Sequence, residues 1–205
     1  MIASGYGVQR SGDRITAYLP MVAEGEGHYG WTDCSAMRTA LYRDGELLGE
    51  PAEDPAPATF AVSAEYPAYT LTASVTRAPG VARASSRVDV RWDFRSERPA
   101  KGVKLPLSMA RFTPSLGLDS TVDAGKPVGV PVVVQGTAAT PGMLQSRRVY
   151  ASVDGGKTWV ERTVTSGAVE VKTPAAGGTV SLRGDIVDTA GTASQVTVYD
   201  AWLAR

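Results

Sequence analysis

The segment from residue 150 to residue 164 constrains the fold more strongly than any other part of the chain. It contains two β-prone runs, Tyr150–Val153 and Thr158–Val164, separated by Asp154–Lys157. Aspartate can bond the amides that follow it, and the two glycines of this turn can take positive φ, so we predict a tight hairpin. We expect the indole of Trp159, which restarts the strand, to cover the turn. We therefore predict that this segment forms part of an antiparallel sheet.

Alternation of polar and apolar residues indicates strands along the rest of the chain as well. Ser86–Phe94 places Val88, Val90, Trp92 and Phe94 on one face and charged residues on the other. Asp-Gly between the apolar runs on either side of Arg43–Glu46 predicts a second hairpin. The predicted strands are Asp13–Pro20, Met37–Tyr42, Leu47–Leu48, Thr59–Val62, Tyr69–Thr76, Ser86–Phe94, Leu105–Phe112, Val128–Val134, Val149–Val153, Thr158–Val164, Ala168–Val171, Thr179–Val187 and Ser194–Trp202.

A charged segment without a large apolar anchor, Arg95–Gly102, divides these strands into two groups. A chain of 205 residues is long enough for two cores of about 100 residues each. We therefore predict an all-β protein of two tandem immunoglobulin/fibronectin-like β-sandwich domains, 1–98 and 99–205, since seven short strands in about 100 residues is the pattern of that fold. A weak helical period at Cys34–Tyr42 is interpreted as strand because the Asp-Gly turn follows it.

Composition excludes several classes of protein. Lys+Arg and Asp+Glu both number 21, so there is no basic field for nucleic acid. No run of 18 apolar residues predicts a membrane span, and the single Cys34 cannot form an internal disulfide. The first residues lack the features of a signal peptide, yet the many strands and turns suggest an exported protein. We therefore expect a segment of a longer, extracellular precursor, in which Met1 is native or a cloning residue.

Several motifs suggest chemistry that the rest of the sequence does not support. Gly25–Gly30 matches Gly-x-Gly-x-x-Gly, with Asp44 at the spacing of a ribose-binding carboxylate, but a dinucleotide fold needs crossover helices that we do not predict. His28 is the only histidine, and no Gly-x-Ser-x-Gly elbow accompanies it. One histidine and one cysteine cannot form a zinc site. We predict no catalytic residues, no cofactor and no metal site, and expect the chain itself not to be an enzyme.

Carboxylates and aromatic residues leave weaker alternatives open. Asp185 with Asp188, or Asp33 with the loop that carries Glu24 and Glu26, could form a glycosidase pair or a calcium site, and solvated turns are the alternative. Three aromatic residues near the start of the chain could form a sugar-stacking platform, fill a core or line a domain interface: Tyr6, Tyr29 and Trp31.

The hairpin predicted within residues 150–164 resembles the Asp-box known from sialidases and from many unrelated secreted β-proteins. A sialidase would need repeated copies on propeller blades and an arginine cluster, whereas one copy is present here. We therefore interpret the motif as a structural hairpin. Its residues are Ser152, Asp154, Gly156, Thr158 and Trp159.

A broader resemblance rests on motifs that follow one another in a fixed order along nearly the whole chain. They are Gly27–Gly30 with Met37–Glu46, then Val90–Ser96 with Leu105–Leu107 and Arg111–Pro114, then Ser152–Trp159 with Val180–Gly191.

In these motifs the chain resembles the C-terminal regions of large secreted subtilisin-like serine peptidases of actinobacteria. The catalytic Asp, His and Ser of that family lie far upstream, and their motifs do not occur here, so no catalytic residue is carried over. The resemblance implies a non-catalytic accessory module of a secreted serine endopeptidase, partnered with the catalytic domain of its own precursor. The alternative is a self-standing extracellular module that binds a polysaccharide or a protein, without nucleic-acid or membrane partners.

Overall fold

The computed structural model describes residues 7–22, 33–51 and 57–205. In these ranges the chain is all-β, with one 3-10 helical turn, Thr137–Ala139, and no helix long and apolar enough to cross a bilayer. The strands are β1 (Gly7–Ser11), β2 (Arg14–Tyr18), β3 (Ala36–Arg43), β4 (Glu46–Gly49), β5 (Ala58–Ala61), β6 (Ala68–Thr76), β7 (Arg87–Arg95), β8 (Val103–Lys104), β9 (Ser108–Phe112), β10 (Thr121–Val122), β11 (Pro127–Gly136), β12 (Leu144–Ser152), β13 (Val160–Arg162), β14 (Ala168–Lys172), β15 (Thr179–Asp188) and β16 (Ala193–Ala204).

The first half of the chain forms one β-sandwich. A four-stranded sheet in the order β5-β2-β1-β8 packs against strands β7-β6-β3-β4. Alternation along β2 and β6 directs Ile15 and Leu71 into the space between the sheets, where both side chains are fully buried. Trp92 lies in the same core, and its indole Nε1 donates to the carbonyl of Ser108 at 2.7 Å.

The second half forms another β-sandwich with the same plan. A three-stranded sheet, β14-β11-β9, packs against β13-β12-β15-β16. Val130, Leu182 and Trp202 are fully buried between these sheets. The indole Nε1 of Trp202 donates to the hydroxyl of Thr173 at 3.3 Å, so this large side chain is buried with its polar atom satisfied.

The two sandwiches share one sheet. β7 and β16, the last strand of each half, pair antiparallel from Ala193↔Asp93 to Tyr199↔Arg87. This pairing makes one continuous sheet in the order β13-β12-β15-β16-β7-β6-β3-β4, while β10 pairs in parallel with the end of β16. The last strand of each half thus meets its counterpart antiparallel, with Val90 and Val196 at the middle of the pairing. The sequence predicted two tandem sandwiches and did not predict the sheet that they share.

The predicted strands are confirmed, with shifted ends at several of them. Asp44 and Gly45 have φ of 49° and 89°, which is the twist that a two-residue hairpin turn requires, and Cys34–Tyr42 leads into β3 rather than a helix. β12 begins five residues before the predicted Val149, and β1, β8 and β10 were not predicted.

The segment around the predicted boundary contacts the first sandwich. β8 pairs with β1, and Arg98 forms a bidentate ion pair with Asp13, with Nε–Oδ1 of 2.7 Å. The amide of Leu105 donates to the carbonyl of Val8 at 2.9 Å. Most residues of one core precede this segment and those of the other follow it, but Val196 from the second half belongs to the first core, and the sheet crosses from one half to the other. The division after residue 98 stays a prediction.

Candidate functional site

Asp154 organises the turn between β12 and β13. Its Oδ1 accepts from the amides of Lys157 and Thr158 at 3.0 and 2.9 Å, and its Oδ2 accepts from the Thr158 hydroxyl at 2.6 Å. Ser152 Oγ donates to Asp154 Oδ1 at 2.7 Å and accepts from the Gly156 amide at 2.9 Å. The short polar side chains thus bond the backbone of the turn that contains them, and we call residues 152–159 the Asp154 hairpin.

These hydrogen bonds keep Asp154 ionised. Donation by the Thr158 hydroxyl, then by the Thr158 amide and the Ser152 hydroxyl, holds the pKa of the carboxyl well below its usual range. A general acid needs a raised pKa, and a general base needs a free lone pair aimed at substrate. The geometry therefore suits Asp154 to anchoring a turn and not to proton transfer.

Gly156 brings the turn against the aromatic side chains on the sheet. Both Gly155 and Gly156 have positive φ, 72° and 84°. A Cβ added at Gly156 would lie 2.6 Å from Cε1 of Tyr199 and 3.4 Å from Cζ2 of Trp159, whereas a Cβ at Gly155 would meet nothing within 4 Å. Gly155 is needed for its conformation alone, and Gly156 also for the close approach of the turn to Tyr199.

The outer face of the shared sheet carries an aromatic–arginine cluster: Tyr150, Trp159, Arg183, Tyr199 and Arg87. The guanidinium carbon of Arg183 lies 4.0 Å from the ring centroid of Tyr150 and 5.4 Å from that of Trp159. Trp159 meets Tyr199 edge to face at 6.4 Å and 72°, and Arg87 lies 5.4 Å over Tyr199. Cation–π contacts of this kind stabilise the side chains that make them.

The guanidinium groups of the cluster lie over its aromatic rings. Tyr150 and Trp159 are half-buried, and Arg183 lies against the rings of both. Pairing of Arg183 with Tyr150 and of Arg87 with Tyr199 across neighbouring strands fixes these contacts in register. The cluster is therefore built to hold the hairpin on the sheet.

No protein-family model matches the chain, and no curated protein matches it. Among solved structures, the fibronectin(III)-like modules of Clostridium thermocellum CbhA are similar to it. The alignment covers 100% of this chain and 93% of that chain, with 17% sequence identity and a TM-score of 0.32. Because both values are low, the assignment of the β-sandwich fold rests on the sheets and cores described above.

Asp185 and Asp188, which the sequence suggested as a pair, do not share one site. Asp185 is on the outer face of β15, where its Oδ1 accepts from the side-chain amide of Gln195 at 3.0 Å. Asp188, three residues later, is buried, and its Oδ1 accepts from the amides of Ala190 and Thr192 at 3.0 and 2.9 Å. An odd spacing on a strand places side chains on opposite faces, so these two do not form a catalytic pair.

Other candidates contribute no assembled site within the described ranges. In them, no three His, Cys, Asp or Glu side chains come close enough to hold a metal ion. Burial raises the pKa of the Cys34 thiol, which disfavours the nucleophilic thiolate. Asp44 accepts from the Ala68 amide at 3.3 Å as part of its turn. Candidates that lie outside the described residues are Gly25–Gly30 with His28, Glu24 and Glu26, and the aromatic residues Tyr6, Tyr29 and Trp31.

Sequence reasoning missed the partners of the hairpin. Arg183 and Tyr199 lie on β15 and β16, far from Trp159 along the chain, and only their outward position in an alternating strand singles them out. It also missed a groove of about 470 Å³ beside β12, lined by residues 144–148 and 161–164. The groove depends on where β13 ends, which the sequence predicted two residues too late.

Proposed function

We propose that this chain is a non-catalytic accessory module of an exported subtilisin-like serine peptidase. The observation that supports an accessory role is the sheet shared by the two sandwiches through β7 and β16. This pairing joins the two sandwiches into one unit of fixed geometry. Such a unit suits a module that positions other domains. The attachment to a peptidase is supported by the order of motifs described for the sequence.

A shared sheet resists bending far more than a linker between two domains. Domains joined only by a polar linker move relative to each other as a rule, whereas a large apolar interface suppresses that motion. Here Val196 of the second half is buried in the core of the first, beside Val90. The module would hold a catalytic domain at a set distance from its substrate or from a second binding surface.

The reading frame that encodes the residues before Met1 tests the attachment. A subtilisin-like domain with its Asp, His and Ser is expected there, and a signal peptide directly before Met1 would contradict the proposal. The role itself is tested by comparing the precursor with a version that lacks residues 1–205. Hydrolysis of a short chromogenic peptide should be unchanged, while secretion yield or turnover of a folded protein substrate should fall. Equal values for all three quantities would exclude an accessory role.

A self-standing extracellular module that binds a protein is the second candidate, and the groove beside β12 favours it. Two arginines that line this groove, Arg147 and Arg162, make no ion pair with any described residue. Binding of a polysaccharide has less support, because Arg183 lies against the rings of Tyr150 and Trp159. A chain secreted from its own signal peptide, without a peptidase domain, would favour this candidate.

A further inference from the structure

The edge of the shared sheet is open along the first half of β12. β12 has nine residues, Leu144–Ser152, but β13 pairs only with Val149, Tyr150 and Ala151. After Arg162 the chain leads away to the turn before β14, so the groove of about 470 Å³ opens beside residues 144–148. No described strand pairs with residues 144–148 on that side of β12, so the backbone groups there are available to an added strand.

Two arginines that line this groove have no charged partner among the residues that the structure describes. Arg147 pairs in register with the buried Ile186, and Arg162 with the buried Val149, so both arginines lie on the face of the sheet toward the core. Neither forms an ion pair with a described residue, and the Nε of Arg162 is buried without a hydrogen-bond acceptor.

Arg148, at the same edge of the sheet, does have a charged partner. Arg148, on the opposite face, is neutralised by Glu161, with Nε–Oε1 of 3.0 Å and Nη2–Oε2 of 2.7 Å. The groove thus keeps an uncompensated charge on one face only, the face that Arg147 and Arg162 share.

We propose that an extended acidic peptide segment of a protein partner binds along residues 144–148 as an added β-strand. In an antiparallel pair, side chains directly opposite each other have Cβ atoms about 4.5–5.5 Å apart. Alternate carboxylates of the segment would therefore reach Arg147 and Arg162, while its backbone pairs with β12. The register shift between Leu144 and Ser146 limits the regular ladder to about four residues, so the segment is short.

Charge decides between this partner and a second copy of the chain. Antiparallel pairing of residues 144–148 from two copies would place Arg147 of one copy diagonal to Arg147 of the other, within reach of these long side chains, and like charges at neighbouring positions disfavour the pairing. An acidic segment instead removes the uncompensated charge. This inference does not depend on whether a peptidase domain precedes the chain.

The test uses a fluorescein-labelled heptapeptide of alternating glutamate and valine, added to the full chain and followed by anisotropy. Two reference peptides accompany it: one with lysine in place of glutamate, and one with the same sequence but N-methylated at alternate amides, which keeps the charge and blocks strand pairing. The acidic peptide should bind at least about tenfold more tightly than either. Hydrogen exchange should show new protection at alternate amides within residues 145–148, those that point away from β15.

Matched variants separate the groove from general attraction between charges. Arg147→Gln with Arg162→Gln should weaken binding about tenfold or more. Arg14→Gln with Lys126→Gln removes the same charge from exposed positions outside the groove and should leave binding unchanged. Equal binding of the N-methylated peptide, equal losses in the two double variants, or no protection at residues 145–148 would each overturn the proposal. A concentration-dependent dimer protected at the same amides would identify a second copy as the occupant and also overturn it.

Discussion

Val90 on β7 lies directly opposite Val196 on β16, at the midpoint of the junction between the two sandwiches. Both side chains are buried, at 3% and 4% exposure, and both belong to the core of the first sandwich. Val198, two residues further along β16, packs against the same core. The junction is therefore part of a hydrophobic core as well as a backbone ladder, and the second half of the chain completes the first.

The first prediction concerns cleavage between the halves. A specific protease site inserted between Lys101 and Gly102, where the chain is exposed, should be cut readily. The two fragments should then elute together as one species under native conditions and separate only in denaturant, because the pairing of β7 with β16 and the shorter pairing of β8 with β1 both survive the cut. Size-exclusion chromatography of the nicked chain measures this.

A variant at the junction provides the control. Val196→Asp places a charge inside the first core and should allow the nicked fragments to separate. Wild-type fragments that separate without denaturant would show that the shared sheet is too weak to hold the halves together.

The sequence predicted the strands because their signals are local. Alternation in Ser86–Phe94 and the Asp-Gly turn at residues 44–45 act over a few residues, and both patterns are confirmed. The bonds between Ser152 and Asp154 also join near neighbours. A pairing of two sheet edges uses backbone groups that every residue has, so no side-chain pattern marks β7 and β16 as partners. The contact of Trp159 with Tyr199 spans 40 residues and depends on that same assembly.

The second prediction concerns pH. The carboxyl of Asp154 has its pKa lowered by folding, so its contribution to stability is present above the unfolded value of about 3.9 and is lost as pH falls toward the folded value. Urea midpoints of the wild type and of Asp154→Asn should therefore differ most above about pH 5 and converge toward about pH 2. Other carboxyls with lowered pKa, such as that of Glu161, titrate in both proteins and cancel in the difference. A difference that stays constant over this range would show that the charge of Asp154 does not stabilise the turn.

The third prediction compares two adjacent glycines. Gly155→Ala should cost about 1 to 2 kcal/mol, the strain of a Cβ at positive φ. Gly156→Ala carries the same strain and also forces a Cβ to within 2.6 Å of Tyr199, so it should cost about 1 to 3 kcal/mol more. Denaturant midpoints of the two variants measure the difference. The double change of Gly156→Ala with Tyr199→Ala should remove the extra cost, and equal costs for the two glycine variants would mean that the turn does not press on the sheet.

The last prediction decides whether Trp159 is a structural residue or a ligand platform. Its half-buried ring packs against Tyr199 and beneath the guanidinium of Arg183. Trp159→Ala should therefore destabilise the chain by about 2 to 3 kcal/mol, less than the ~3 to 5 kcal/mol of a fully buried aromatic residue. Val160→Ala, at the next position and 53% exposed, should change stability by less than about 0.5 kcal/mol. If the ring were instead a platform for sugar, Trp159→Ala would leave the denaturant midpoint near that of Val160→Ala while abolishing the binding of a soluble polysaccharide. Measuring both quantities on the same two variants separates the alternatives, because a ring that packs on the sheet stabilises the fold and a ring that serves only as a ligand platform does not.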